Sequence, residues 1–168
     1  MSYRVYMAAF AAAGFLSAAS GASAKDVGFD INYVDSMVET SPKSTAYSVN
    51  QHVVVTLHSD NHVTESRQWR APGSSSEITL DSALGTDATA RKFTVNWRVQ
   101  SASSLIRYRT FPQHVEVMRI AVSGQTCRAS IEHQLKPGFS SYERFGKSWE
   151  SHIYSSIHSS GISCQVIP

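Results

Sequence analysis

The stretch VEVMRIAVSGQTCRASIEHQL, running from Val115 to Leu135, decides the fold. A two-residue loop at Gly124-Gln125 sets both arms in one register, with Val122 facing Cys127, Ile120 facing Ala129 and Met118 facing Ile131. Arg119, Arg128, Ser130 and Glu132 then take the other side, so one surface is apolar and one polar. Glycine at the first loop position suits a type II′ turn, whose twist matches that of the flanking strands. Because side chains alternate with period two, a slip of one residue would send the whole apolar set to the wrong face. Pattern and turn therefore agree on an antiparallel hairpin.

Two further hairpins lie upstream. From Lys92 onward, Phe93, Val95, Trp97 and Val99 share one face, and Lys92, Thr94, Asn96 and Arg98 share the other. After the loop Gln100 to Ser104, the segment LIRYRTF brings Ile106 against Val99 and Tyr108 against Trp97, a register that sets Arg98 opposite Arg107. Earlier still, Val53, Val55 and Leu57 point one way, and the loop Ser59-Asp60-Asn61 returns the chain so that Leu57 meets Val63; asparagine tolerates the left-handed conformation such a loop needs. Phe29, Ile31 and Tyr33 alternate as a first strand. Ser41 to Ser44 is a turn, and Ala71 to Ser76 is a polar connection before Ile78 and Leu80. Hairpins in succession predict a mainly β fold, an antiparallel β-sandwich or a small barrel.

The tail reads differently. Ser140-Ser141-Tyr142-Glu143 has capping-box form, and Tyr142, Phe145, Trp149, Ile153 and Ile157 recur at spacings of three and four, with Gly161 as a stop. The spacing predicts a C-terminal helix within residues 140–160. Gly146, which costs about 1 kcal/mol against alanine in a helix interior, and the many serines oppose it, and a pair of short strands is the alternative. Ile162, Cys164 and Val166 alternate as a final strand.

Residues 1–24 have the form of an export signal: Arg4 supplies a positive start, Val5 to Ala19 is apolar, and Ala22-Ser23-Ala24 is a small-residue cleavage site. The apolar run is shorter than the roughly 20 residues of a spanning helix, and no second run follows. The mature chain from Lys25 to Pro168 is expected to be one soluble domain, periplasmic or secreted. The full chain has 15 basic and 13 acidic residues, a balance that gives no electrostatic footprint for nucleic acid. Cys127 and Cys164 lie in strand-like segments of a chain read as exported, so a disulfide is expected. No Cys-x-x-Cys pair supports a redox role.

Ala88 to Gln113 holds Arg91, Lys92, Arg98, Arg107 and Arg109 and no acidic residue. In the register above, Lys92, Arg98, Arg107 and Arg109 share one surface, where guanidinium forks would suit the carboxylates of an acidic glycan or another polyanion. The commoner arrangement is a solvated sheet face whose charges meet the acidic segment Lys25 to Glu39. His58, Asp60 and His62 at the second hairpin offer three metal ligands, although solvated loop histidines are the more usual finding. Trp149 is the aromatic residue best placed to join a ligand surface.

Enzyme signatures fail. Gly146-Lys147-Ser148 ends like a phosphate loop, but Ser141 stands where its first glycine belongs. There is no Gly-x-Ser-x-Gly and no His-Glu-x-x-His, and Glu116 and Glu132 project to opposite sides of their hairpin. The expectation is an exported, non-catalytic binding or surface-interaction module without a cofactor, with an acidic glycan, an envelope polymer or a protein as partner. A small hydrolase whose site assembles only in three dimensions is the alternative.

Overall fold

The computed structural model describes residues 26–167 other than 72, 73, 91, 102 and 147. The expected leader, residues 1–24, and Arg91 of the basic run lie outside the described residues. The strands are β1 (Val27–Ser41), β2 (Thr45–Leu57), β3 (His62–Ala71), β4 (Ser74–Ala83), β5 (Asp87–Ala90), β6 (Phe93–Ser101), β7 (Ser104–Thr110), β8 (His114–Ser123), β9 (Thr126–Leu135), β10 (Tyr142–Phe145) and β11 (Ser151–Ile167). They form one antiparallel sheet in the order β4-β3-β2-β1-β11-β9-β8-β7-β6-β5, with β10 added to β11. The first and last long strands are thus neighbours, and the meander wraps into a barrel. β4 and β5 lie against each other at the seam without a ladder between them. Of the two expected architectures, the barrel is the one formed. No helix among the described residues is long and apolar enough to cross a membrane.

The central hairpin has the expected register, Val122↔Cys127, Ile120↔Ala129 and Met118↔Ile131. Gly124 supplies the positive φ of 61° that a type II′ turn places at its first position. The β2–β3 hairpin also matches, with Leu57 opposite Val63 and Asn61 at φ 69°.

Three expectations are corrected. The C-terminal helix is absent: residues 142–145 and 151–167 are strands β10 and β11. The helix-like series is divided among β10 (Tyr142, Phe145), the turn after it (Trp149) and β11 (Ile153, Ile157), and within β11 a β-bulge adds a residue that shifts the inward alternation by one. The β1–β11 register breaks between Asn32 and Val34 and again between Val38 and Glu39, so Tyr154 and Ile157 both point inward although three residues apart. Gly161, at φ 60°, belongs to the first bulge rather than to a helix end.

The second correction is a slip of one in the β6–β7 register. Trp97 faces Arg107, Val99 faces Leu105 and Arg98 faces Ile106. Arg107 and Arg109 therefore enter the barrel with Trp97 and Val95, while Arg98 stays outside. Third, Ser74 to Ser76 begin β4 instead of forming a connection, with Ser76 opposite Trp69.

Read along their inward positions, most strands change character at the same level. β1 passes from Phe29, Ile31 and Tyr33 to Asp35 and Met37; β2 from Val55 and Val53 to Gln51 and Val49; β8 from Ile120 and Met118 to Glu116 and His114. One half of the barrel is consequently an apolar core, built on Phe29, Ile31, Val53, Val55, Val63, Trp97, Met118 and Ile120. A charged layer follows, and beyond it a smaller apolar group of Met37, Val49, Tyr154 and Ile157 surrounds an opening.

β9 and β11 share only the pair Thr126↔Gln165 before they diverge. Beside that contact the expected disulfide joins Cys127 to Cys164, with Cα atoms 5.5 Å apart, and no described cysteine is free. It closes the barrel at the apolar end, while β10 occupies the gap at the other. Reduction should cost about 4 kcal/mol for a loop of this length on the chain-entropy model. Urea unfolding with and without reductant measures it. Gly161→Ala should cost about 1 kcal/mol through its left-handed backbone alone, since nothing lies within 4 Å of an added Cβ.

Candidate functional site

The charged layer is built by strands far apart in sequence. Arg67 on β3 donates from Nε to Gln51 at 3.0 Å, from one terminal nitrogen to Glu116 at 3.1 Å and from the other to the Tyr33 hydroxyl. Arg107 on β7 donates to both Glu65 and Glu116. Arg144 on β10 reaches through the gap between β9 and β11 and donates to Asp35 at 3.1 Å and to Glu116 at 2.9 Å. Glu116, fully buried, thus accepts from three guanidinium groups.

Burial opposes ionisation of Glu116 and Asp35, but the surrounding cations prevail. Glu116 is held well below the usual carboxylate range by Arg67, Arg107 and Arg144. Asp35 is held down at about 2, chiefly by Arg144 and by His133, whose Nε2 lies 3.6 Å away. Both are carboxylates at any physiological pH.

Arg109 stands apart. It is 5 % exposed, its nearest carboxylate oxygens on Glu65 and Glu116 lie at 3.9 Å, and its Nε is buried without a hydrogen-bond partner. The ring of Phe93, 4.7 Å from the guanidinium carbon, supports one side of it. Arg109 faces a cavity of about 540 Å³, whose floor also includes Arg67 and Arg144. The walls are aromatic and apolar, among them Met37, Val49, Trp69, Phe111 and Tyr154, and the edge of β4 lines one side through Ser76 and Ile78. At the rim, Glu39 and His152 are 2.7 Å apart.

The residues singled out in the sequence separate. Arg109 and Trp149 both line this cavity. Lys92 braces its rim, donating to the Trp149 carbonyl at 2.7 Å and lying 4.5 Å over the ring of Phe145. Arg107 lies in the charged layer, and Arg98 is exposed on the outer face, donating to Asn96. The four cations therefore do not form one outer surface. His58 engages Asp26 and Thr64, His62 engages Asp81, and the Asp60 carboxylate accepts the backbone N–H of His62. No group of three metal-ligating side chains gathers there or elsewhere among the described residues. Arg67, Arg144, Asp35, Glu65 and Glu116 were not anticipated as site residues, because isolated charges within alternating strands carry the signature of a solvated face.

Asp35, His133 and Ser159 lie together without the geometry of a catalytic triad. Ser159 Oγ is 2.8 Å from His133 Nε2 and donates to Asp35. Arg144 approaches His133 Nδ1, at 3.4 Å, on the side where a triad needs its carboxylate. The serine proton is directed to the acid instead of the imidazole, and none of the three residues lines the cavity.

His114 is fully buried, stacked 4.4 Å from Phe111, and neither ring nitrogen has a partner. Burial, aided by Arg144, lowers its pKa to about 3. The folded chain keeps this ring neutral while the unfolded chain takes up a proton below the ordinary value of 6.5, so stability falls as pH drops from 6.5 toward 3. The slope from this group is about 1.4 kcal/mol per pH unit. The depressed Asp35 adds a further loss as pH falls from 3.8 toward 2. His114→Phe should remove the first loss and leave stability at neutral pH equal or higher, which urea midpoints across this pH range will measure. Glu116→Gln should destabilise by about 3–5 kcal/mol, because three buried cations lose their shared counter-charge.

Compared with family models, with curated proteins and with solved structures, the chain matches none.

Proposed function

We propose that this protein is an exported, non-catalytic binding protein that holds a small, largely apolar molecule inside its barrel. The observation that carries the reading is the cavity itself: about 540 Å³, walled by aromatic and aliphatic side chains over a polar floor. Its size falls within the 300–1,000 Å³ typical of small-molecule sites, which combine apolar walls with a few directed polar groups. An interior site favours a small ligand over a glycan polymer, since Arg107 and Arg109 point inward and Arg98 is the one arginine of β6 and β7 left on the outer face. The disulfide and the leader-like residues 1–24 support export to an oxidising compartment.

The neutral fluorophore N-phenyl-1-naphthylamine should brighten on titration into the protein and be displaced by dodecanol. Ala71→Trp, which places a bulky ring at the cavity wall, should weaken that binding at least about tenfold while leaving the thermal midpoint within a few degrees. No fluorescence gain with the parent protein, or equal binding by the variant, overturns an interior site.

A further inference from the structure

We infer that the ligand carries a single negative charge, a carboxylate on an otherwise apolar body, and that this group seats on Arg109 at the cavity floor. The inference rests on the interior binding site proposed above and adds its chemical class and orientation.

Charge accounting leads to it. The buried layer contains four guanidinium groups, Arg67, Arg107, Arg109 and Arg144, and three carboxylates, Asp35, Glu65 and Glu116. The remaining buried acid, Glu39, sits at the rim and is engaged by His152. His114 stays neutral between Phe111 and Tyr142. The guanidinium groups of the layer therefore outnumber its carboxylates by one.

Geometry identifies which one. Arg67, Arg107 and Arg144 each donate at least two hydrogen bonds to acceptors of the protein. Arg109 donates none to any described residue, although it is almost wholly buried and lines the cavity. Glu116 is its cross-strand partner, but the near carboxylate oxygen already accepts from Arg67 and Arg107, which leaves Arg109 at 3.9 Å. With Glu65 also at 3.9 Å, Arg109 has charge partners but no hydrogen-bond acceptor among the described residues, and a buried cation whose N–H groups are unsatisfied destabilises a fold. The Phe93 ring offsets part of that cost but cannot accept from five N–H groups in a fork.

A planar carboxylate can accept two parallel hydrogen bonds from the terminal nitrogens of Arg109, which make none with the described residues, and a single charge equals the excess of guanidinium groups in the layer. The apolar body then extends past Trp69, Met37 and Tyr154 toward the mouth. A dianionic group would leave the layer with a negative excess, so phosphate monoesters should bind less well.

The test displaces N-phenyl-1-naphthylamine with dodecanoate and with dodecanol, from the parent protein and from Arg109→Met. On the parent, dodecanoate should displace the probe at a concentration at least about tenfold lower than dodecanol does, the advantage expected of a charge-assisted contact. In Arg109→Met that advantage should vanish while the probe still binds, and the thermal midpoint without ligand should be unchanged or raised. Equal potency of acid and alcohol on the parent overturns the inference and leaves the interior site standing. So does an acid preference that survives in the variant, or a lowered midpoint with the preference intact, which would make Arg109 a structural residue. Absence of probe binding altogether overturns both readings.

Discussion

The interaction on which the barrel depends is the convergence of three guanidinium groups on the buried carboxylate of Glu116. Arg67 arrives from β3, Arg107 from the adjacent β7 and Arg144 from β10. A slip of one residue in β3, β7 or β8 would turn its member of the cluster to the outside and leave the others buried without counter-charge. The cluster's net contribution to stability is small, because desolvation offsets most of the attraction. Its effect lies in the penalty on other pairings. It also fixes the level at which apolar packing stops, since nothing can close over a charged layer as cheaply as over leucine and valine.

The barrel closes by two different devices across the same pair of strands. β9 and β11 touch at Thr126 and Gln165, where the Cys127–Cys164 bond holds them, and then separate. The bulges in β11 bend it away from β9 and make room for β10, whose Tyr142, Glu143, Arg144 and Phe145 pair with residues 151–154. From this position Arg144 can enter the interior, and Phe145, Gly146 and Trp149 can form a wall of the cavity. Without the divergence there would be no opening for that guanidinium and less room at the cavity end. Site and fold irregularity are therefore one feature.

The sequence disclosed those parts of the fold whose two faces differ in polarity. The β8–β9 hairpin is apolar inside over most of its length, so turn chemistry and alternation agree, and its register was legible to the residue. β7 buries Leu105 and Arg107 inward and also Ile106 outward, so neither face announces itself. Assigning the charged set to solvent produced the slip of one. The same assumption concealed the site: Arg107 finds Glu65 across 42 positions of sequence, a pairing no local pattern reports. In the tail, Tyr142, Phe145, Trp149, Ile153 and Ile157 have helical spacing only because a strand, a turn and a second strand follow one another closely, and the inward pair Tyr154 and Ile157 is offset by a bulge. Serine-rich composition pointed the other way and was the better guide. Arg109, expected on a basic outer face, and Trp149, expected on a ligand surface, meet in the cavity because β7 and the turn before β11 end at the same mouth.

An interior that ends in an unmatched cation beside open space differs in kind from one that is merely imperfectly packed. A void lined by apolar groups loses only contacts, and a missing hydrogen bond can be supplied by water. A net charge persists when water enters, and water only lowers its cost. Replacing Arg109 by a residue such as methionine would relieve that cost in an empty barrel. Retaining an arginine there is favourable only where some partner of opposite charge occupies the cavity for an appreciable part of the protein's working life. The apolar walls then determine the rest of that partner, because a bare inorganic anion would leave the partly exposed Trp69, Ile78 and Phe145 facing solvent, whereas an amphipathic one covers them. Floor and walls select together, the first by charge and the second by area.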